Sequence, residues 1–348
     1  MLMLKILFTL LGVLVLQTNA VLALDAFPPD YQKKRVLIST DIGGGDKDDT
    51  QSMIHFLAYA NMFDLEGIVI SRPRGHVQEM LRVVEAYEKD YEKFQAASED
   101  YPTPARLRAI TKVGARRMAS RIEERIFRTP ARGYTTSTSG SRWIVKMARK
   151  ADTRPLHIVA WGSATDIAQA LHDAPDIKRK IRVHLGGTGR YAYNYVFDPA
   201  PLDYLRRLKK LRMIDGTYGK GVYAPGQNST QKYGNIGFVK QVIKPRGFLG
   251  QLFYTISERI DVNRYGLKMG DSGMVFFLMN GSYEDPFQPS WGGQYCQSTG
   301  DPDHFVACQQ PALRYAGEAG ARSVAIHQRD FLKDWERRLK LIYDSSPS

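Results

Sequence analysis

Short apolar runs alternating with segments of helical period constrain this chain more than any other feature. Residues 35–40 (Arg-Val-Leu-Ile-Ser-Thr), 65–71, 156–161, 181–185 and 211–214 read as buried strands. Between them lie helix patterns, first Met53, Ile54, Leu57 and Ala58, then about 77–94, 111–127, 140–150, 164–171 and 202–208. Strands apolar on both faces must be covered on both, and strands separated by helices form βαβ units. The expected fold is α/β: a single domain with a mainly parallel, helix-flanked central sheet. Residues 281–310, rich in Gly, Pro and Asp, read as a long loop region, and 329–344 as a closing charged helix. Neither an internal repeat nor a low-complexity linker divides the pattern.

The first 23 residues are set aside from this fold. Lys5 precedes an apolar run at 6–16, and small-x-small exits follow at Ala20 and Ala23, the pattern of a secretory signal peptide. The run is shorter than the ~17–25 residues that span a bilayer, so cleavage after Ala20 or Ala23 is expected, leaving residues 24–348 as a secreted or periplasmic domain. The 43% hydrophobic content excludes disordered, collagen-like and coiled-coil classes.

A formal charge of +13 invites acidic partners, but the basic residues are scattered. Arg206, Arg207, Lys209, Lys210 and Arg212 alternate with Leu205, Leu208 and Leu211, as on a solvated helix face. No specific nucleic-acid site and no membrane insertion after cleavage are expected; homo-oligomerisation is left open. Cys296 and Cys308 either close a local disulfide loop or stay free thiols, and no zinc spacing is present.

The stretch from Ser39 to Asp49 carries the chemistry. Asp41, Asp46, Asp48 and Asp49 end a buried strand and open a helix, where they repel one another unless a cation or a helix N-terminus offsets them. A hard, oxygen-seeking cation such as Ca²⁺ is the economical answer. The loop is not an EF-hand, because counting from Asp46 the sixth and twelfth positions are Gln51 and Leu57.

These residues, strand-Asp41-x-Gly43…Asp48-Asp49-helix, resemble the N-terminal motif of the inosine-uridine nucleoside hydrolase superfamily. Gly162-Ser-Ala-Thr165-Asp166-Ile-Ala168, Leu185-Gly186-Gly187 followed by Asn194…Asp198-Pro199, and Gly270-Asp271 resemble later motifs of that family in the same order. Thr40-Asp-Ile-Gly-Gly, Ala160-Trp-Gly and Trp291-Gly-Gly are similar to the nucleoside hydrolase-like domain of bacterial cellulose-binding proteins. The resemblance covers about 35–295. It implies that Asp41, Asp49, the Thr165 carbonyl and Asp271 hold Ca²⁺, that Asp41 acts as the catalytic base, and that Asp48 and Asn194 meet sugar hydroxyls. Trp161 and Trp291 either stack on a sugar or base ring or anchor the core.

The departures matter as much. Three residues are inserted between Asp41 and the Asp48-Asp49 pair; Ser39 and Ala192 stand where the family has Asp and Glu, and Gly270 where many members have a leaving-group His. His76 and His304 are candidate substitutes for that acid, whereas His55, on an apolar helix face, is expected to be a hydrogen-bonded core residue. Gly187-Thr-Gly-Arg-Tyr-Ala192 lacks a following helix start, which argues against a dinucleotide site, and Ser272 sits in no nucleophile elbow. Two functions follow: a Ca²⁺-dependent hydrolase of N- or O-glycosidic bonds acting on a small glycoside or nucleoside, or a non-catalytic polysaccharide-binding protein on the same fold. A third, retention of acidic polymers, rests on net charge alone.

Overall fold

The computed structural model describes residues 31–44, 47–71, 77–115, 134–186, 194, 199–223, 229–258 and 266–344; the signal segment expected at 1–23 lies outside them. Eight strands form one sheet: β1 (Lys34–Thr40), β2 (Phe63–Ile70), β3 (Thr111–Val113), β4 (Leu156–Ala160), β5 (Ile181–Leu185), β6 (Met213–Asp215), β7 (Tyr295–Gln297) and β8 (His304–Ala307). Their order is β3-β2-β1-β4-β5-β6-β8-β7, and every pairing is parallel except β7 with β8.

The helices are α1 (Asp48–Ala58), α2 (Val77–Ala97), α3 (Pro104–Ile110), α4 (Ser139–Ala148), α5 (Thr165–Asp173), α6 (Pro199–Arg207), α7 (Gly219–Tyr223), α8 (Asn235–Phe238), α9 (Gly247–Ser257), α10 (Ser272–Asn280), α11 (Arg322–Ala325) and α12 (Gln328–Tyr343). Among the described residues none is long and apolar enough to cross a membrane. Alternate residues of β1 feed two separate cores. Val36 and Ile38 join Met53, Phe56, Val83, Phe253, Phe276 and Trp335 on one face, while Leu37 joins Ile144, Ile158, Ile167 and Leu205 on the other.

Two expectations are corrected. Residues 111–127 do not begin as a helix: Thr111–Val113 pair with Ile68–Ile70 as the edge strand β3, because main-chain bonding to β2 outweighs the helical spacing; the part from 116 onward lies outside the described residues. The stretch 281–310 is not all loop. It supplies β7 and β8, and the pairing of Tyr295–Gln297 with Phe305–Ala307 is stapled by a Cys296–Cys308 disulfide.

The strand order sets the place for a ligand. β1 runs into β2 on one side, while the chain returns to β4 on the other, so the helices leaving β1 and β4 diverge and open a crevice at their carboxyl ends.

Candidate active site

Asp41 follows β1, and Trp161 to Thr165 follow β4, so both stand at that crevice. Three helices begin there: α1 with Asp48 and Asp49 in its first turn, α5 with Thr165 as its first residue, and α10 directly after Asp271. Their partial positive ends converge on the carboxylates and offset part of the repulsion. One oxygen from each of Asp48, Asp49 and Asp271 lies within 4.8 Å of the other two.

Local contacts hold the loop in this shape. Thr40 Oγ1 donates to Asp49 Oδ1 and accepts from the Ile42 amide at 3.0 Å, tying strand end to helix start. A Cβ at Gly162 would fall 2.7 Å from Asp41 Cβ and 2.9 Å from its amide nitrogen, so only glycine lets the loop after β4 pass Asp41. Gln51 orients the far side: its Oε1 accepts from the Lys268 amide at 2.7 Å, and its Nε2 donates to Ser257 Oγ and the Gly266 carbonyl, each at 3.0 Å. That fixes the segment carrying Asp271 against α1.

The electrostatics are those of an acid surrounded by acids. Burial, then Asp41, Asp271 and Asp48, push the Asp49 carboxyl well above its ordinary range. Asp48, Asp49 and Asp271 present only hard oxygen donors, which suit Ca²⁺ or Mg²⁺. A divalent cation there would hold Asp49 ionised and relieve the repulsion.

Asn194 stands at the same end of the sheet, its Nδ2 donating to the Gly186 carbonyl at 2.9 Å, just past β5. Gly187 and Ala192 lie outside the described residues, as does His76. Trp161 is packed in the core at 3% exposure, which favours anchoring over stacking. Trp291 runs along α10: its amide donates to Asn280 Oδ1, its ring lies 6.3 Å from the Phe276 ring, and a Cβ at the next residue, Gly292, would meet the Gly273 carbonyl at 2.5 Å.

The histidines are corrected too. His304 sits on β8 with Nε2 3.4 Å from Asp215 Oδ2, four strand positions from β1 and so ~19 Å across the sheet, too far to serve as an acid at Asp41. His55 is a core residue but not a hydrogen-bonded one. Neither ring nitrogen has a partner among the described residues, its ring edges meet Phe276 and Trp335, and burial lowers its pKa to about 3.

Sequence reasoning assigned no role to Thr40, Gln51, Gly162 or Asp166. Asp166, fully buried, accepts from the Ala115 amide at 2.9 Å and from Thr138 Oγ1, pinning the ends of β3 and α4 beside the crevice. The Gly-Ser-Ala-Thr turn was a readable signal for Gly162. For Gln51 there was none, because its partners lie more than 200 residues away.

This is a nucleoside hydrolase-like fold, and it recurs in solved structures. A nucleoside hydrolase-related protein of Saccharophagus degradans associated with carbohydrate metabolism matches with a TM-score of 0.66 at 20% identity, over 91% of this chain and 73% of that one. The type III effector XopQ, solved with adenosine diphosphate ribose, matches at 0.53 and 12% identity over 90% and 95%. An inosine-guanosine nucleoside hydrolase matches at 0.52 and 13% identity over 90% and 99%. No curated protein matches by sequence. Residues 35–295 match the cellulose-binding Sde182, nucleoside hydrolase-like domain, and the chain belongs to that family.

Proposed function

We propose that this chain is an exported, Ca²⁺-dependent hydrolase of N-ribosyl or related glycosidic bonds. The observation that carries the reading is the convergence of Asp48, Asp49 and Asp271 at the crevice between β1 and β4. Lys5 and the apolar run at 6–16 support export. Asp49 and Asp271 of this cluster, with Asp41 and the Thr165 carbonyl that the family resemblance adds, would hold the cation, which when bound supplies Lewis-acid activation of water and an anchor for sugar oxygens.

The chain's own groups divide the work. Asp41 accepts the proton of the attacking water. Asp48 accepts from a ribose hydroxyl, and Asn194 orients a second one. The cluster's negative field stabilises the oxocarbenium character that develops at the anomeric carbon. Gly270 has no side chain to protonate the leaving group, so substrates whose leaving group departs as an anion react best; protonation is worth ~10²–10⁴ in rate where it is needed.

A non-catalytic carbohydrate-binding role is the second reading, favoured by the family's description and by the bare backbone at Gly270. Hydrolysis of p-nitrophenyl β-ribofuranoside separates the two, since nitrophenolate leaves without protonation. Chelator-sensitive release that disappears in Asp41→Ala is the expected result. Release no greater than that of Asp41→Ala would remove the hydrolase and leave the binder.

A further inference from the structure

A cavity of about 600 Å³ lies between α7, the turn before α8, and the C-terminal helices α11 and α12. One wall comes from residues 325–332, which lie beyond the family domain ending at 295. The cavity adjoins the acidic centre through Tyr223: this residue lines it, and a Cβ at Gly270, the neighbour of Asp271, would stand 3.5 Å from Tyr223 Cε1.

Its lining combines apolar and polar surface. Leu332 and the 63% exposed Ile326 offer aliphatic contact, and the Ser229 hydroxyl and Gln231 amide offer hydrogen bonds. The charge is unbalanced toward positive. Lys232 pairs with Glu336 at 2.7 Å, but Lys340 shares that carboxylate at 2.9 Å, and Tyr233 donates to it as well. The Arg329 guanidinium lies 5.9 Å from the Tyr233 ring centre and makes no ion pair among the described residues. A ligand with an apolar ring face, a hydroxyl rim and a carboxylate matches all three properties, and the volume accommodates more than one ring.

We propose that this cavity binds a hexuronate-bearing oligosaccharide, its carboxylate on Arg329 and Lys232 and its hydroxyls on Ser229 and Gln231. The proposal rests on the carbohydrate part of the reading above and not on turnover. Titration calorimetry of the full chain with trigalacturonate, cellotriose and inorganic phosphate tests it. Trigalacturonate binds; Arg329→Ala, on an exposed helix face, weakens binding about tenfold or more without changing the melting curve, and so does raising the salt to ~150 mM. Ala325→Trp, which fills the cavity wall, abolishes it. Equal affinity for cellotriose, displacement by phosphate at equal concentration, indifference to Arg329→Ala, or no binding at millimolar trigalacturonate would each overturn the proposal. Hydrolysis of the nitrophenyl riboside by Arg329→Ala, expected to equal wild type, keeps the two readings apart. Turnover without trigalacturonate binding removes only the cavity; binding without turnover removes only the hydrolase.

Discussion

The two ends of the central strands treat buried charge in opposite ways. At the amino end Arg35, 1% exposed, donates to Glu66 at 3.0 Å and to the Met147 and Arg154 carbonyls; Lys150 also reaches Glu66, and Arg154 spans Asp64 and Asp152. Arg35 and Glu66 thus face opposite charges within the protein. At the carboxyl end the charges that shift Asp49 are all carboxylates, Asp41, Asp271 and Asp48. That arrangement opposes folding and is sustained by the packing around it; under the proposed function a cation would relieve it. The first end pairs opposite charges; the second gathers like ones.

The contrast is sharpest if the two ends are broken in turn. Glu66→Ala leaves Arg35 short of its main counter-charge and should destabilise the protein by about 3–5 kcal/mol in urea unfolding. His157 tests the basic end by pH: burial, then Lys34, Arg182 and Arg35, lower its pKa to about 3. Folding therefore keeps it neutral while the unfolded chain protonates near 6.5, so stability falls as pH drops through this window by about 1.4 kcal/mol per unit. His157→Gln should make the acid limb of a stability–pH curve shallower by that slope, about 3 kcal/mol between pH 6 and 4; an unchanged limb would refute the assignment.

At the acidic end Ca²⁺ at a hundred times its Kd should stabilise the wild type by about 2.7 kcal/mol, read as a rise in Tm. Asp271→Asn should erase that rise and, in chelator, melt higher than wild type, because it removes repulsion. A chelated Asp271→Asn protein that melts lower would mean the cluster is not strained. The smallest effect is expected at Gly270, where a new Cβ meets nothing closer than 3.5 Å: Gly270→Ala should change stability by less than ~0.5 kcal/mol. Gly270→His should raise turnover of substrates that need leaving-group protonation while leaving nitrophenyl riboside hydrolysis unchanged.

Much of the fold was legible because its signals are local. Residues 181–185 were assigned as a strand with both ends correct, and β1, β2 and β4 within one or two residues, since an apolar run bounded by turns has few alternatives. β3, β7 and β8 are not legible because each is only three or four residues long and exists through its neighbour. The same division runs through the site. Asp41, Asp48 and Asp49 announce themselves as a cluster in one loop, whereas Gln51, the lever that positions Asp271, looks like any polar residue on an amphipathic helix.

By itself the sequence determined the α/β alternation, the place of the carboxylates at a strand-to-helix turn, and the loss of a side chain at Gly270, all of which follow from the order of residues within short windows. Only the tertiary structure decided which carboxylates meet, that His304 stands away from them, and that the segment beyond 295 walls a second cavity. Those outcomes depend on strand order and on where each helix starts, and residues 220 positions apart, such as Gln51 and Asp271, acquire a distance only when the sheet that carries them closes.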